Sequence, residues 1–440
     1  MSERRSRGPA ALDTLTARTL SVAASLFLMT AAFILVKTGR DALYFEGGMG
    51  VHDLPKAYIA IAFLSLPVAY VILGLMRHLG ARRARLVAPL ALCAALALFH
   101  GVARPGGGAL MTSFFVSVPL AFGVLFSLTW LLGADLFDGV ARERLARAYS
   151  VVGAASILGG MVGGLVARAL AFQVEPRTLI LVGAVVLAAS AGTTALAQSR
   201  FPAASFEGTA APRDRAAARV AVLLTQRYPL LLLLVGMVAS LVGILVEFQL
   251  YLAAATSGQG GRENASFFAS VYVVLNASAL GVQLYAMPLL QKRIGVGGSL
   301  LVLPAVLVGG ATVLLGAATS VARSLLRVAE GGLKASIHRV NWEQAYLPLN
   351  PTQRAVAKLV VDGAAARVAE GVAAAALLAW LHFVVKGRDL VGQDTSWITY
   401  TLLLASFVWM GASWALARAL TGLGATDEAA LRFDIPLPDT

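Results

Sequence analysis

Apolar positions run along this chain in stretches of about 20 residues, separated by short polar breaks, and about 20 apolar residues wound as a helix cross the hydrocarbon core of a bilayer. Twelve such stretches can be drawn, at 20–39, 55–76, 86–103, 109–132, 150–171, 178–197, 229–250, 265–289, 298–318, 320–338, 356–384 and 397–417. The pattern predicts an all-α polytopic membrane protein with 12 transmembrane helices. The longest polar break, 198–228, divides them six and six. The expected organisation is an N-tail over 1–19, a first six-helix bundle over 20–197, a linker over 198–228, a second bundle over 229–417 and a C-tail over 418–440.

Several spans interrupt their own apolar pattern. The first carries Lys37, Arg40 and Asp41 in "LVKTGRDALYF", and the seventh carries Glu247 in "LVEFQLYL". Lys37 and Glu247 each sit about 17 residues, roughly 25 Å, into their spans. They are expected either to meet across a pseudo-symmetry axis or to snorkel to the outer surface. In the tenth span, Arg323, Arg327, Glu330, Lys334 and His338 recur at steps of 4, 3, 4 and 4, which is one helix face. In the eleventh, Lys358 with Asp362 and Arg367 with Glu370 stand at pairing distance along a helix. Ionisable groups in lipid are costly and tend to face an aqueous pathway. The expectation is a cavity in which Lys37, Arg327, Lys334 and Arg367 receive an anion through its oxygens. The other reading of 320–338 is an amphipathic helix lying on the cytoplasmic surface.

Composition narrows the class further. Of 440 residues, 58% are hydrophobic and 13% charged, against about a quarter charged in soluble domains. The net charge of +13 is concentrated in one set of loops: the N-tail with Arg18, then Arg77, Arg82, Arg83 and Arg85, then Arg142, Arg144 and Arg147, the linker, Lys292 with Arg293, and Arg339 with Arg354. The bias places both termini in the cytoplasm and makes topology, not nucleic-acid binding, the reason for the charge. The basic N-terminus is expected to precede an uncleaved anchor. Cys93 is the lone cysteine, the five histidines are scattered, and no cluster has metal-ligand spacing or a nucleophile beside a base. Neither a metal, a cofactor nor an enzyme activity is expected. "GAASILGGMVGG" lacks the Lys-Ser/Thr of a phosphate loop; Gly159 with Gly163 and Gly160 with Gly164 are small-residue pairs for close helix packing.

The two halves resemble each other. "LMRHLGARRARLVAPL" aligns with "LQKRIGVGGSLLVLPA", so that Arg77 meets Lys292, Gly80 meets Gly295 and Pro89 meets Pro304. Two parallel six-helix repeats follow the major-facilitator plan. The 75–90 stretch also looks like that superfamily's loop between its second and third helices, without the usual acidic residue.

The polar segment "EQAYLPLNPTQRAVAKLVVD" (343–362) resembles a signature of the bacterial and plastid ATP/ADP translocases, matching at Glu343, Ala345, Tyr346, Pro348, Leu349, Lys358 and Asp362. Lys37, Arg40 and Asp41 resemble that family's charged stretch in the first helix, "LVEF" its Leu-Val-Glu-Val at Glu247, and "LKASI" its Lys-Tyr-Ser-Leu at Lys334 and Ser336. Two family charges have no counterpart: Ile61 replaces a lysine in the second helix, and the fourth helix has no glutamate. The resemblance implies an inner-membrane antiporter exchanging ATP for ADP by alternating access. Substrate would be bound by Lys37, Arg40, Arg327, Lys334 and Arg367, with gating or coupling at Asp41, Glu247, Glu330, Lys358, Asp362 and Glu370. The rivals are a major-facilitator-like carrier of another organic anion or solute, proton-coupled through Glu247, Glu330 or Glu370, and a membrane-embedded scaffold or sensor. The expected partners are a nucleotide or other small anion and the bilayer.

Overall fold

A computed structural model describes residues 9–102, 108–137, 140, 142–201, 226–256, 261–349, 354, 357–386 and 395–425. Most of the linker, both distal tails and part of the 343–362 segment, Pro351 included, lie outside the described residues. Among those described there are helices and no strands: α1 Pro9–Glu46, α2 Leu54–Leu79, α3 Ala81–Val102, α4 Gly108–Leu136, α5 Arg142–Leu170, α6 Pro176–Arg200, α7 Arg227–Thr256, α8 Gly261–Gly281, α9 Met287–Ser299, α10 Val302–Gly316, α11 Ser320–Leu333, α12 Arg339–Ala345, α13 Ala366–Trp380 and α14 Ser396–Ala425. Short π-helical turns at Val282–Ala286 and Lys334–His338 join α8 to α9 and α11 to α12, and two more, Leu359–Ala365 and Leu381–Val385, flank α13.

Ten helical runs among the described residues are long and apolar enough to cross a membrane. The ninth and tenth expected spans complete the set differently. Val302–Gly316 is apolar but shorter than the others, and the tenth is the charged α11 continued to Ala345. Most spans are longer than the hydropathy pattern predicts. The first runs on from 39 to Glu46 because Arg40 and Asp41 neutralise each other inside the fold (below), so their charges do not end the helix. The eighth continues to Ser299 rather than 289, with a kink at Gly295.

The chain forms two compact units. The first comprises residues 1–49, 67–208 and 259–277, and the second 50–66, 209–258 and 278–440. Within the first, α1 packs against α4, α5 and α6, and α3 packs against α6. Within the second, α7 packs against α11, α13 and α14, and α10 against α14. Numbered as spans, the first touches the fourth to sixth in one unit, and the seventh touches the tenth to twelfth in the other. The third-to-sixth contact recurs as ninth-to-twelfth. The repeat read from Gly80 and Gly295 therefore extends to packing. These two glycines also share a backbone state, φ +77° and +67°, which side chains with a Cβ rarely adopt.

In the first unit the glycine pairs of α5 serve two neighbours. A Cβ on Gly159 or Gly163 would collide with the backbone of Phe27 or Ala31 on α1, and one on Gly160 or Gly164 with Asn276 or Val273 on α8. The small-residue reading holds, and the alternation places one pair on each face.

Candidate functional site

Six of the predicted residues gather in the second unit. On α11, Glu330 is 1% exposed and receives two cations: Arg327 donates to Oε2, and the Lys334 ammonium stands 3.1 Å from Oε1. On α13, Arg367 Nη1 donates to Glu370 Oε2 at 2.5 Å. The two pairs belong to one electrostatic neighbourhood. Lys334 and Arg367 both act on Glu370, and Glu247 of α7 acts on both Glu330 and Glu370. Gly243, one turn before Glu247, makes room for this arrangement, since a Cβ there would lie 3.0 Å from Lys334 Nζ. Sequence reading missed Gly243; its only signal was a glycine one helical turn from an intramembrane carboxylate.

The cations expected to receive an anion are accompanied by carboxylates. Three cations, Arg327, Lys334 and Arg367, stand beside three carboxylates, Glu247, Glu330 and Glu370. Lys334 and Arg367 side chains remain 44% and 39% exposed, so charged heads stay accessible while their carboxylates are largely buried. His338, expected on the same stripe, leaves it. Its ring stacks on Trp342 at 5.7 Å and meets Trp409 edge-on at 5.4 Å, a buried aromatic setting.

In the first unit, Arg40 and Asp41 form a closed pair, 4% and 0% exposed. Asp41 Oδ1 accepts from Arg40 Nε at 2.7 Å, and Oδ2 accepts from the Tyr272 hydroxyl at 2.7 Å. The Arg40 guanidinium lies 4.1 Å from the centre of the Phe115 ring. Lys37 is half-buried, its ammonium 4.9 Å from the centre of the Tyr272 ring. Lys37 and Glu247 fall in different units. Tyr272 lies 231 residues beyond Asp41, and nothing local marked it as a partner.

The 343–362 segment is a third assembly, in the second unit. Asp362 Oδ1 accepts from the Trp342 indole and from the Tyr346 hydroxyl, each at 2.9 Å. Lys358 pairs with Glu343. The expected Lys358–Asp362 pair is thus replaced: the aromatic donors occupy the carboxylate, and the ammonium turns to the more exposed glutamate. Burial, then the adjacent Asp362, push the Tyr346 phenol up from its usual pKa, which keeps it a donor. Arg354 closes the turn by donating to the carbonyls of Tyr346, Leu347 and Leu349 at 3.0–3.1 Å, and the Tyr228 hydroxyl holds the Ala345 carbonyl at 2.5 Å. These bonds satisfy carbonyls that a helix end leaves open.

The chain matches no family model and no curated protein in sequence. Its backbone is similar to that of the nucleoside transporter NupG, with a TM-score of 0.63 at 12% identity to a point mutant of that protein, covering 92% of this chain and 99% of that one. A second NupG structure gives 0.61 at 11% identity, covering 93% and 100%. The chain has the major-facilitator fold. At such identity the likeness concerns the backbone alone, and the integral-membrane character rests equally on the apolar helices. In the major-facilitator frame, the three-helix network occupies the tenth, eleventh and seventh spans. No group of three or more metal-ligating side chains occurs among the described residues.

Proposed function

We propose that this protein is a secondary transporter of a nucleoside-type solute, working by alternating access with both termini in the cytoplasm. The observation that carries the reading is the network of Arg327, Glu330, Lys334, Arg367 and Glu370 beside Glu247, within membrane-spanning helices. Charge at that depth is costly and is retained where a polar solute or proton must pass. Each cation is matched by a carboxylate, so the site offers donors and acceptors without a large net charge. That balance suits a neutral, hydrogen-bonding solute better than a nucleoside triphosphate with several negative charges. The nucleoside transport named for NupG agrees with such a solute, and a buried carboxylate such as Glu330 or Glu370 is the group through which a proton gradient would drive uptake.

A second reading, exchange of ATP for ADP, is favoured by the 343–362 signature and by the partial exposure of Lys334 and Arg367. Here these two bind phosphate, while Lys358 and Asp362 hold the frame of the second unit and Arg40 and Asp41 that of the first. Proteoliposomes separate the readings. We expect labelled adenosine or uridine to accumulate under an inward proton gradient, and ATP not to exchange against internal ADP. Rapid ATP/ADP counterflow with no nucleoside uptake would establish the second reading, and neither activity across a metabolite panel would reject both.

A further inference from the structure

Arg323 opens the charged stripe of α11 yet takes no part in the network that follows it. Its side chain is 5% exposed. Nη2 donates to the Thr395 hydroxyl at 2.7 Å, and Nε is buried with no acceptor. No carboxylate among the described residues pairs with it. A guanidinium stays protonated at any accessible pH, and leaving a charge buried without its counter-ion is strongly unfavourable.

The surroundings deepen the deficit. Arg323 lies in the first turn of α11, where its own N–H meets the carbonyl of Thr319 at 3.0 Å and the Thr319 side chain caps Ala322. Its one partner, Thr395, immediately precedes α14, and the Thr395 carbonyl accepts the Ile398 N–H at 3.1 Å. The guanidinium therefore sits at the N-terminal ends of two helices, each of which carries partial positive charge. Thr395 also keeps its hydroxyl proton to donate, because Arg323 occupies the oxygen as acceptor. Thr399, one turn further along α14, accepts from Gln249 of α7 at 3.2 Å, and both are neutral. Among the described residues, the side chains named here beside Arg323 are uncharged.

We propose that Arg323, Thr395 and the N-terminal end of α14 form a binding site for a small inorganic anion of chloride size, which neutralises the guanidinium inside the second unit. The anion fills the vacant Nε donor and the Thr395 hydroxyl, and it offsets both helix ends. The site is independent of the solute carried, so it survives failure of the transport reading.

The test is thermal unfolding of the purified full-length protein in detergent, with sodium gluconate exchanged for sodium chloride at constant ionic strength. The midpoint should rise by about 2 °C or more as chloride reaches many times its dissociation constant, with bromide equivalent. Arg323→Met should abolish that dependence while matching or exceeding the wild-type midpoint in gluconate, since the unpaired charge is gone. Crystals grown in bromide should show an anomalous peak within hydrogen-bond reach of the Arg323 guanidinium. A wild-type midpoint indifferent to chloride, or the same chloride shift in Arg323→Met, would overturn the site. Asp389 and Asp394 lie outside the described residues. A chloride dependence that emerges only in Asp394→Asn would assign the counter-charge to the chain itself and also overturn the proposal. Should Arg323→Met not express, the wild-type chloride series and the bromide peak decide the question.

Discussion

α1 and α7 reach their first intramembrane charge through the same three residues: Ile34, Leu35 and Val36 before Lys37, and Ile244, Leu245 and Val246 before Glu247. All six apolar residues are buried, each charged residue is half-buried, and the three residues after each are buried again. The two helices are copies in packing and opposite in charge. Their surroundings diverge further. In the first unit the charges close on themselves, as Arg40 and Asp41 bond under Tyr272 and Phe115 with almost no exposure. In the second they spread over α7, α11 and α13 and stay partly open. The π-helical turns among the described residues also fall in the second unit or at its boundary with α8, and such turns recur at functional sites. One scaffold therefore carries a sealed charge pair in the first unit and a partly exposed charge network in the second, the one we propose the solute meets. Substitutions on the two sides should fail in different ways.

The largest effect is expected at Glu330. Glu330→Gln keeps the shape but removes the charge that holds Arg327 and Lys334, and displacing binding groups by about 1 Å can cost about 100-fold in rate. Initial uptake should fall by about that factor in proteoliposomes, with the thermal midpoint reduced much less. Uptake within a few-fold of wild type would remove the network from the transport site. Next comes Asp41→Asn, which leaves Arg40 buried without its counter-ion. Breaking such a pair costs about 3–5 kcal/mol, so expression and thermal midpoint should drop sharply. Protein that does fold should transport at near the normal rate, and a stable but inactive Asp41→Asn would end the contrast between sealed and open charge.

How much of this was readable in the sequence depends on distance along the chain. Run length, which is local, predicts twelve spans divided six and six; among the described residues ten helices are long and apolar enough to cross a membrane, and the compact units depart from the division by placing 50–66 with the second half and 259–277 with the first. The Arg327–Glu330–Lys334 and Arg367–Glu370 pairs follow from helical spacing. Partners on other helices were not legible: Tyr272 under Asp41, Trp409 beside His338 and Thr395 on Arg323. The balance of charge around the expected cations was hidden for the same reason. The spacing shows each cation, but only packing shows that Lys334 and Glu247 both act on Glu370, from other helices. Lys358 and Asp362 make the point within one segment, where helical spacing proposed a pair and nearby aromatic donors displaced it.

A milder substitution probes the sealed side again. Lys37→Gln removes the cation over Tyr272, a contact of about 0.5–2 kcal/mol, and leaves the Arg40–Asp41 pair intact. Its stability loss should be well under that of Asp41→Asn when both are measured by thermal unfolding. An equal loss would place Lys37 inside the closed pair rather than beside it.

The smallest chemical alteration, one methyl group, gives the sharpest form of the comparison, because the same mutation is made in both units. At Gly163 an added Cβ would meet the carbonyl oxygen of Ala31 at 2.5 Å and its Cα at 2.8 Å. Backbone cannot move aside without separating α5 from α1, so Gly163→Ala should lose about 1–3 kcal/mol despite the better helix propensity of alanine. At Gly243 the nearest atom is Lys334 Nζ at 3.0 Å, followed by Glu330 Oε1 at 3.7 Å. The end of a lysine can shift by a few tenths of an ångström, so Gly243→Ala should leave the thermal midpoint unchanged or slightly raised. The shift falls on the cation assigned to the solute, and uptake should drop a few-fold through KM. If Gly243→Ala destabilises as much as Gly163→Ala, the space above Gly243 is packing, and the open character assigned to the second network is lost. If stability holds and KM alone moves, a single methyl group will have separated a residue that holds helices together from one that leaves room for a working charge.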